Sequence, residues 1–197
     1  MLVEQVAGSP WNGWPDAHGI RGRITVVRAR IVICGPSNAG KSTLARAIGW
    51  KLAVPAIHLD LLFHVPNTDW VPKPKEAFLA LHDAAIAGDS WVMEGNYFAT
   101  VPQRLGRATG IIMLGSEPWR AAGRNVRRTL FESGRRAGQL EGNIDRLNWK
   151  MLRFILIEQP KKWSRDHATL QRSGLPMVTL RSMRELQALY RAWDLRR

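Results

Sequence analysis

The sequence predicts a three-layer α/β fold built on a five-stranded parallel sheet. Short apolar runs recur along the chain, segments of helical period separate them, and a glycine-rich loop follows the first strong run. Strands connected through helices form parallel sheets with right-handed connections, and the helices then cover both faces. A chain of 197 residues is long enough to bury the core of one such domain.

Each predicted strand is a buried-type apolar run bounded by turn or helix signals. The five strands are predicted at residues 31–34, 56–59, 91–93, 110–114 and 177–180. Residues 24–27 could add one more short strand before the first.

The predicted helices follow apolar spacings of three and four residues. They cover residues 43–52, 74–87, 117–134, 143–173 and 184 to the C-terminus. Ser42 and Thr43 are expected to satisfy free amides at the start of the first helix, and Pro160 is expected to interrupt the fourth. Residues 1–22, rich in glycine and proline, are predicted to form an irregular leader before a single domain at 23–197.

Composition narrows the class of protein. The formal net charge is +13, which favours phosphorylated ligands or polyanions, although a general role in solubility is an equal alternative. The lone cysteine, Cys34, cannot form an internal disulfide, and no apolar stretch approaches the roughly 20 residues of a membrane helix. We therefore expect a cytoplasmic protein without a membrane partner, acting as a monomer or homodimer.

The segment from Gly35 to Ser42 has the spacing G-x-x-x-x-G-K-S, between a predicted strand and a predicted helix. Such a P-loop turns backbone amides toward phosphate oxygens, and the helix adds its positive end. Lys41 is predicted to reach the β- and γ-phosphates of ATP, and the Ser42 hydroxyl to ligate Mg²⁺. The predicted nucleotide-binding residues of this loop are Gly35, Asn38, Ala39, Gly40, Lys41, Ser42 and Thr43.

Two acidic residues follow the second and third predicted strands, where ligands of such sheets gather. Asp60 is predicted to orient an acceptor hydroxyl or act as a general base, the alternative being a helix cap. Glu94 is predicted to hold the metal opposite Ser42, the alternative being a surface acid. His58 is expected to share a strand side with Asp60 and to be structural.

Arginines are densest in the predicted helix after the fourth strand, at spacings of three and four residues. Like charges so placed repel one another, but the cost is offset if the face closes on a polyphosphate. Arg124 and Arg128 are predicted to be catalytic, and Arg120 to bind the nucleotide. A solvated basic face or a nucleic-acid patch is the alternative.

From Ile31 to about residue 190 the chain resembles the adenylate-kinase-like P-loop proteins called DNA topology modulation proteins, of the nucleoside monophosphate kinase-type fold. The resemblance depends on the P-loop and on three further motifs in order. These are His58-Leu-Asp60-Leu-Leu-Phe63, Trp91-Val-Met-Glu94-Gly-Asn96-Tyr97, and Thr179-Leu-Arg181-Ser182 with Glu185.

The resemblance implies ATP-dependent phosphoryl transfer under a mobile arginine-bearing lid, here at about residues 118–145. It also implies that Arg181 flanks the adenine. Two positions depart from the group's pattern: Glu94 stands where aspartate is usual, and Gly115 stands where an acidic residue is usual.

Three functions remain open from the sequence. The first is a kinase that transfers the γ-phosphate of Mg-ATP to a nucleotide or another small acceptor with a hydroxyl or phosphate group. The second is an ATP-binding switch or weak ATPase associated with nucleic acid through the basic surface. The third is a kinase-like fold that binds nucleotide without turnover.

Overall fold

The computed structural model describes residues 28–115, 119, 123, 126 and 153–196. In these residues five strands form one parallel sheet in the order β2-β3-β1-β4-β5, which confirms the predicted fold class. The strands are β1 (Arg30–Cys34), β2 (Ala56–His58), β3 (Trp91–Glu94), β4 (Gly110–Leu114) and β5 (Met177–Leu180).

Six α-helices have both ends within the described residues. They are α1 (Lys41–Leu52), α2 (Leu59–Phe63), α3 (Lys75–Ile86), α4 (Val101–Leu105), α5 (Gln159–Gln171) and α6 (Met183–Ala192). A 3₁₀ turn (Phe98–Thr100) precedes α4, and a π-helical segment (Phe154–Glu158) precedes α5.

The sheet is covered on both faces, as the alternation of side chains along β1 shows. Ile31 and Ile33 belong to one core, which includes apolar residues of α1 and α6. Val32 and Cys34 point to the other face, where the core includes residues of α3 and α5. This arrangement is the expected three-layer architecture.

The start of α1 differs from the prediction. The helix begins at Lys41, and Gly40 is its N-cap in the left-handed conformation without a side-chain hydrogen bond. Ser42 and Thr43 therefore lie inside the first turn, so the expectation that they satisfy the free amides was wrong. The glycine permits the tight entry, because a φ of +93° is open to a residue without a Cβ.

Two short helices were missed because five residues are too few for a periodic signal. Helix α2 begins at Leu59, so the second strand ends one residue earlier than expected, and Asp60 is helical. The expectation that His58 and Asp60 share one side of a strand was therefore wrong. Helix α4 carries a proline in its first turn and ends before Gly106.

The interruption expected near Pro160 is present, since the chain passes from π-helical to α-helical hydrogen bonding just before it. The leader at 1–22, the extra strand at 24–27 and almost all of the lid at 118–145 lie outside the described residues.

Candidate functional site

The loop between β1 and α1 surrounds the amino end of α1. Gly35 packs so closely on β4 that a Cβ there would lie 2.6 Å from the carbonyl oxygen of Leu114. The N-cap residue of α1 is Gly40, which offers no side chain to cap the first amides. Amides at a helix start without such a cap are donors for an anion, and the helix dipole favours negative charge there. The loop therefore has the geometry expected of a phosphate-binding site.

Within the loop, Lys41 and Ala39 both donate to the carbonyl oxygen of Pro36. Lys41 Nζ lies 3.0 Å from this oxygen, and the amide nitrogen of Ala39 lies 3.3 Å from it. Asn38 takes a left-handed conformation with φ of +61°, and Thr43 lies half-buried in the first turn of α1. The lysine therefore folds back across the loop that is predicted to hold phosphate.

Glu94 is the last residue of β3 and lies buried, with 3% of its surface exposed. Its Oε1 accepts a hydrogen bond from the Ser42 hydroxyl at 2.9 Å and lies 3.0 Å from Nδ1 of His58. His58 and Glu94 are direct partners in the β2–β3 register, which explains their contact. The burial of Glu94 rules out the alternative of a surface acid, and His58 acquires a defined partner that spacing alone did not indicate.

The charge state of Glu94 follows from these contacts. Burial raises its pKa, but the hydrogen bond with His58, the charge of Lys41 and the Ser42 hydroxyl lower it. The lowering effects dominate, so the carboxyl remains ionised at neutral pH. A hydroxyl and a carboxylate held together are hard oxygen donors of the kind that Mg²⁺ prefers.

A metal at this pair would need further ligands. Among the described residues, no three His, Cys, Asp or Glu side chains gather to hold a metal. Mg²⁺ commonly binds through one or two protein groups and completes its shell with water and substrate phosphates. The Ser42–Glu94 pair fits such a shared site beside the phosphate loop.

Asp60 lies in the first turn of α2 and accepts a hydrogen bond from Tyr97. The phenolic oxygen of Tyr97 lies 2.6 Å from Oδ1 of Asp60. Burial, followed by the charge of Asp60, raises the pKa of Tyr97 far above its usual value, so the phenol stays a donor. The N-cap of α2 is His58, and Asp60 lies inside the first turn, so Asp60 is not the cap of this helix. Tyr97 therefore has a defined polar partner.

Asn96 binds the P-loop backbone. Its Oδ1 accepts from the amide of Gly35 at 3.0 Å, and its Nδ2 donates to the carbonyl of Gly35 at 2.9 Å. The side-chain amide of Asn96 is therefore engaged by the phosphate loop. The two residues are 61 positions apart, so no local pattern could reveal the pairing.

Arg104 on α4 is completely buried, and the sequence did not indicate a role for it. Its Nη1 donates to the carbonyl of Gly95 at 2.9 Å. Its Nη2 donates to the carbonyls of Asn96 at 2.9 Å and Tyr97 at 3.1 Å. The guanidinium therefore holds three successive residues that follow β3.

Arg181 lies between β5 and α6, with an exposed side chain. Its amide donates to Glu185 Oε2 at 2.8 Å, and the Ser182 hydroxyl accepts from the Glu185 amide at 3.2 Å. The Ser-x-x-Glu pattern thus forms a variant of the capping box, in which the glutamate accepts from the amide one residue before the N-cap Ser182. Gly115 packs on the same loop, since a Cβ there would lie 3.0 Å from Cα of Arg181. The close approach of Arg181 thus explains why a glycine stands at position 115, where the group that the sequence resembles usually has an acidic residue.

The predicted lid arginines Arg120, Arg124 and Arg128 lie outside the described residues. The structure therefore brings together the P-loop, Asp60 and Glu94 at one end of three neighbouring strands, in the order β2-β3-β1. Arg181 lies beyond β4, at the far edge of the sheet.

Comparison with solved structures identifies the fold. A gluconokinase from Sinorhizobium meliloti 1021 aligns with a TM-score of 0.50 at 17% identity, over 85% of this chain and 91% of that one. A shikimate kinase from Bacteroides thetaiotaomicron aligns with a TM-score of 0.47 at 18% identity, covering 85% and 99% of the two chains. The gluconokinase match shows that the chain has the fold of P-loop kinases.

Comparison by sequence adds no relative. No family model matches the sequence, and the search of curated proteins returns no match either. Within the described part of the chain, every helix is too short or too polar to cross a bilayer.

Proposed function

We propose that the protein is a Mg-ATP-dependent phosphotransferase that acts on a small acceptor with a hydroxyl or phosphate group. The observation that carries the proposal is the placement of three groups at the ends of adjacent strands. The Lys41 loop follows β1, the Ser42–Glu94 pair joins that loop to β3, and Asp60, which is bonded to Tyr97, follows β2. Phosphoryl transfer needs a phosphate cradle, a metal site and an acceptor-orienting group side by side.

The P-loop would bind the triphosphate. In this proposal the helix-start amides and Lys41 bind phosphate oxygens, so the lysine exchanges the Pro36 carbonyl for the nucleotide. Ser42 and Glu94 hold Mg²⁺, which supplies positive charge to the phosphates when bound. His58 keeps the Glu94 carboxylate oriented through its contact with Oε1.

Asp60 would take the proton of the acceptor hydroxyl. Tyr97 engages Oδ1 and thereby limits rotation of the carboxylate, so Oδ2 is the atom assigned to the acceptor. A positioned general base of this kind accelerates transfer by roughly 10²–10⁴-fold. For a phosphate acceptor, the same carboxylate would orient the substrate without accepting a proton.

The motifs support assignment to the DNA topology modulation group, with a nucleoside monophosphate as one candidate acceptor. Arg120, Arg124 and Arg128 are proposed to close on the polyphosphate from the lid, and Arg181 to flank the base. A sugar acid is a second candidate acceptor, since a gluconokinase shares the fold.

The net charge of +13 favours one alternative, an ATP-binding switch or weak ATPase associated with nucleic acid. In that case the phosphate loop would bind ATP, and basic side chains would contact a polyanion without base specificity.

An acceptor screen tests the proposal. Purified protein with Mg-ATP is incubated with nucleoside monophosphates, nucleosides and small hydroxyl compounds including gluconate, and ADP release is measured. Lys41→Ala removes the phosphate-binding lysine. Lys51→Ala is the matched control, because Lys51 lies on the same helix but pairs with Asp194 at its far end.

We expect an acceptor to stimulate ADP release in the wild type and in Lys51→Ala, and not in Lys41→Ala. Stimulation by DNA or RNA alone, weakening steeply with added salt, would support the switch instead. No ATP binding at all would reject both functions.

A further inference from the structure

The segment Gly95–Tyr97 contacts both halves of the proposed site. Through Asn96 it pairs with the backbone of Gly35, where the phosphate loop begins. Through Tyr97 it binds Asp60, the proposed acceptor residue. Two side chains that are adjacent in the sequence therefore connect these two halves.

Backbone hydrogen bonds hold the two ends of this segment. It lies between the end of β3 and the 3₁₀ turn, where the Gly95 amide donates to the carbonyl of Ile33 at 3.1 Å and the Tyr97 carbonyl accepts from the Thr100 amide at 3.0 Å. Arg104 adds a side-chain donor to each of the three successive carbonyls, in bonds of 2.9 to 3.1 Å, and so ties the middle of the segment to its ends. A planar guanidinium with several fixed donors suits this task better than any other side chain.

Burying the Arg104 side chain has a free-energy cost. The residue is fully buried, and an apolar side chain of similar length would avoid that cost. Hydrogen bonds from a charged donor to neutral carbonyls are stronger than neutral ones and partly offset it. A costly group with three hydrogen bonds to one segment points to a role in fixing that segment.

We propose that Arg104 is a positioning residue that holds Gly95–Tyr97, and thereby sets the P-loop backbone at Gly35 and the Asp60 carboxylate relative to each other. The effect on the backbone is independent of activity, whereas the effect on transfer rests on the proposed function.

Hydrogen–deuterium exchange of the nucleotide-free protein tests the first effect. The Gly35 amide is bonded to Asn96, so its exchange rate reports the distant pairing. We expect Arg104→Met to raise this rate about five- to tenfold, the loss of roughly one hydrogen bond, while amides of β5 are unchanged. Arg107→Met is the matched control, because Arg107 also donates to a backbone carbonyl, that of Ala87.

A double-mutant cycle with Asn96→Ala separates positioning from general loosening. Asn96→Ala alone should raise Gly35 exchange as Arg104→Met does, and the double variant should raise it no further. Wild-type exchange at Gly35 in folded Arg104→Met, or additive effects, would overturn the proposal. If Arg104→Met does not fold, Arg104→Gln, which keeps a donor NH₂ group, is tested by the same criteria.

Transfer kinetics test the second effect. Arg104→Met should lower kcat at least tenfold, and it should lower the residual rate of Asp60→Asn much less. An equal fold-loss of kcat in the wild type and in Asp60→Asn would show that Arg104 does not position Asp60. If even the wild type transfers no phosphate, the proposed function fails, and Gly35 exchange still decides the role of Arg104.

Discussion

The hydroxyl of Tyr97 lies 2.6 Å from Oδ1 of Asp60, although the two residues are 37 positions apart. The contact joins helix α2 to the segment after β3 and gives the carboxylate a defined orientation. A carboxylate held at one oxygen by a buried donor is suited to present the other oxygen to a ligand.

Asp60→Asn should abolish most transfer without disturbing the nucleotide. The amide cannot accept the acceptor proton, so we expect the transfer rate to fall about 100-fold or more while ATP affinity changes less than twofold. Asp69→Asn is the control, because Asp69 is exposed in the loop after α2. An unchanged transfer rate in Asp60→Asn would show that Asp60 is not the general base.

Glu94→Gln should weaken the response to Mg²⁺. The substitution keeps the size of the side chain but removes the charge beside the Ser42 hydroxyl. We expect the Mg²⁺ concentration for half-maximal ADP release to rise about tenfold or more. Glu76→Gln, on the exposed side of α3, should leave it unchanged. The same Mg²⁺ dependence in Glu94→Gln and wild type would place the metal elsewhere.

His82 should make the fold sensitive to mild acid. Its ring is fully buried, and no described group accepts or donates a hydrogen bond at Nε2. Burial lowers the pKa of His82 below 6.5, so the unfolded chain binds this proton more readily than the folded chain. Stability from this residue is therefore complete above about pH 6.5 and declines as the pH falls toward the folded-state pKa.

Urea unfolding between pH 8 and pH 5 measures this effect. The wild type should lose unfolding free energy with a slope of at most about 1.4 kcal/mol per pH unit from this one proton. His82→Leu should have a flatter profile below pH 6.5. Parallel profiles for the two proteins would show that His82 titrates alike in both states.

Gly115→Ala should destabilise the fold. A Cβ at this position would lie 3.0 Å from Cα of Arg181 and 3.3 Å from its carbonyl oxygen, so the backbone must move. We expect a loss of about 1–3 kcal/mol in unfolding free energy. At Gly88 a Cβ would meet nothing closer than 3.9 Å, so Gly88→Ala serves as the control. Equal stability of the two variants would contradict the steric explanation.

Local signals in the sequence predicted much of the fold. The apolar runs placed all five strands within one or two residues, and helical spacing placed α3 within one residue of each end. The P-loop spacing predicted the strand, turn and helix around Lys41. The short helices α2 and α4 were not predicted, because five residues contain barely more than one helical turn.

The sequence by itself determined which chemical groups are available: a phosphate loop between a strand and a helix, and two acids after strands. Only the tertiary structure decided their partners. Ser42 meets Glu94 across 52 positions, and Gly35 meets Asn96 across 61. Such contacts depend on which strands are neighbours and in what register, and parallel pairing leaves no local trace of either. Arg104 bonds carbonyls only seven to nine positions away, but a single arginine in a five-residue helix shows no sequence pattern that predicts those bonds.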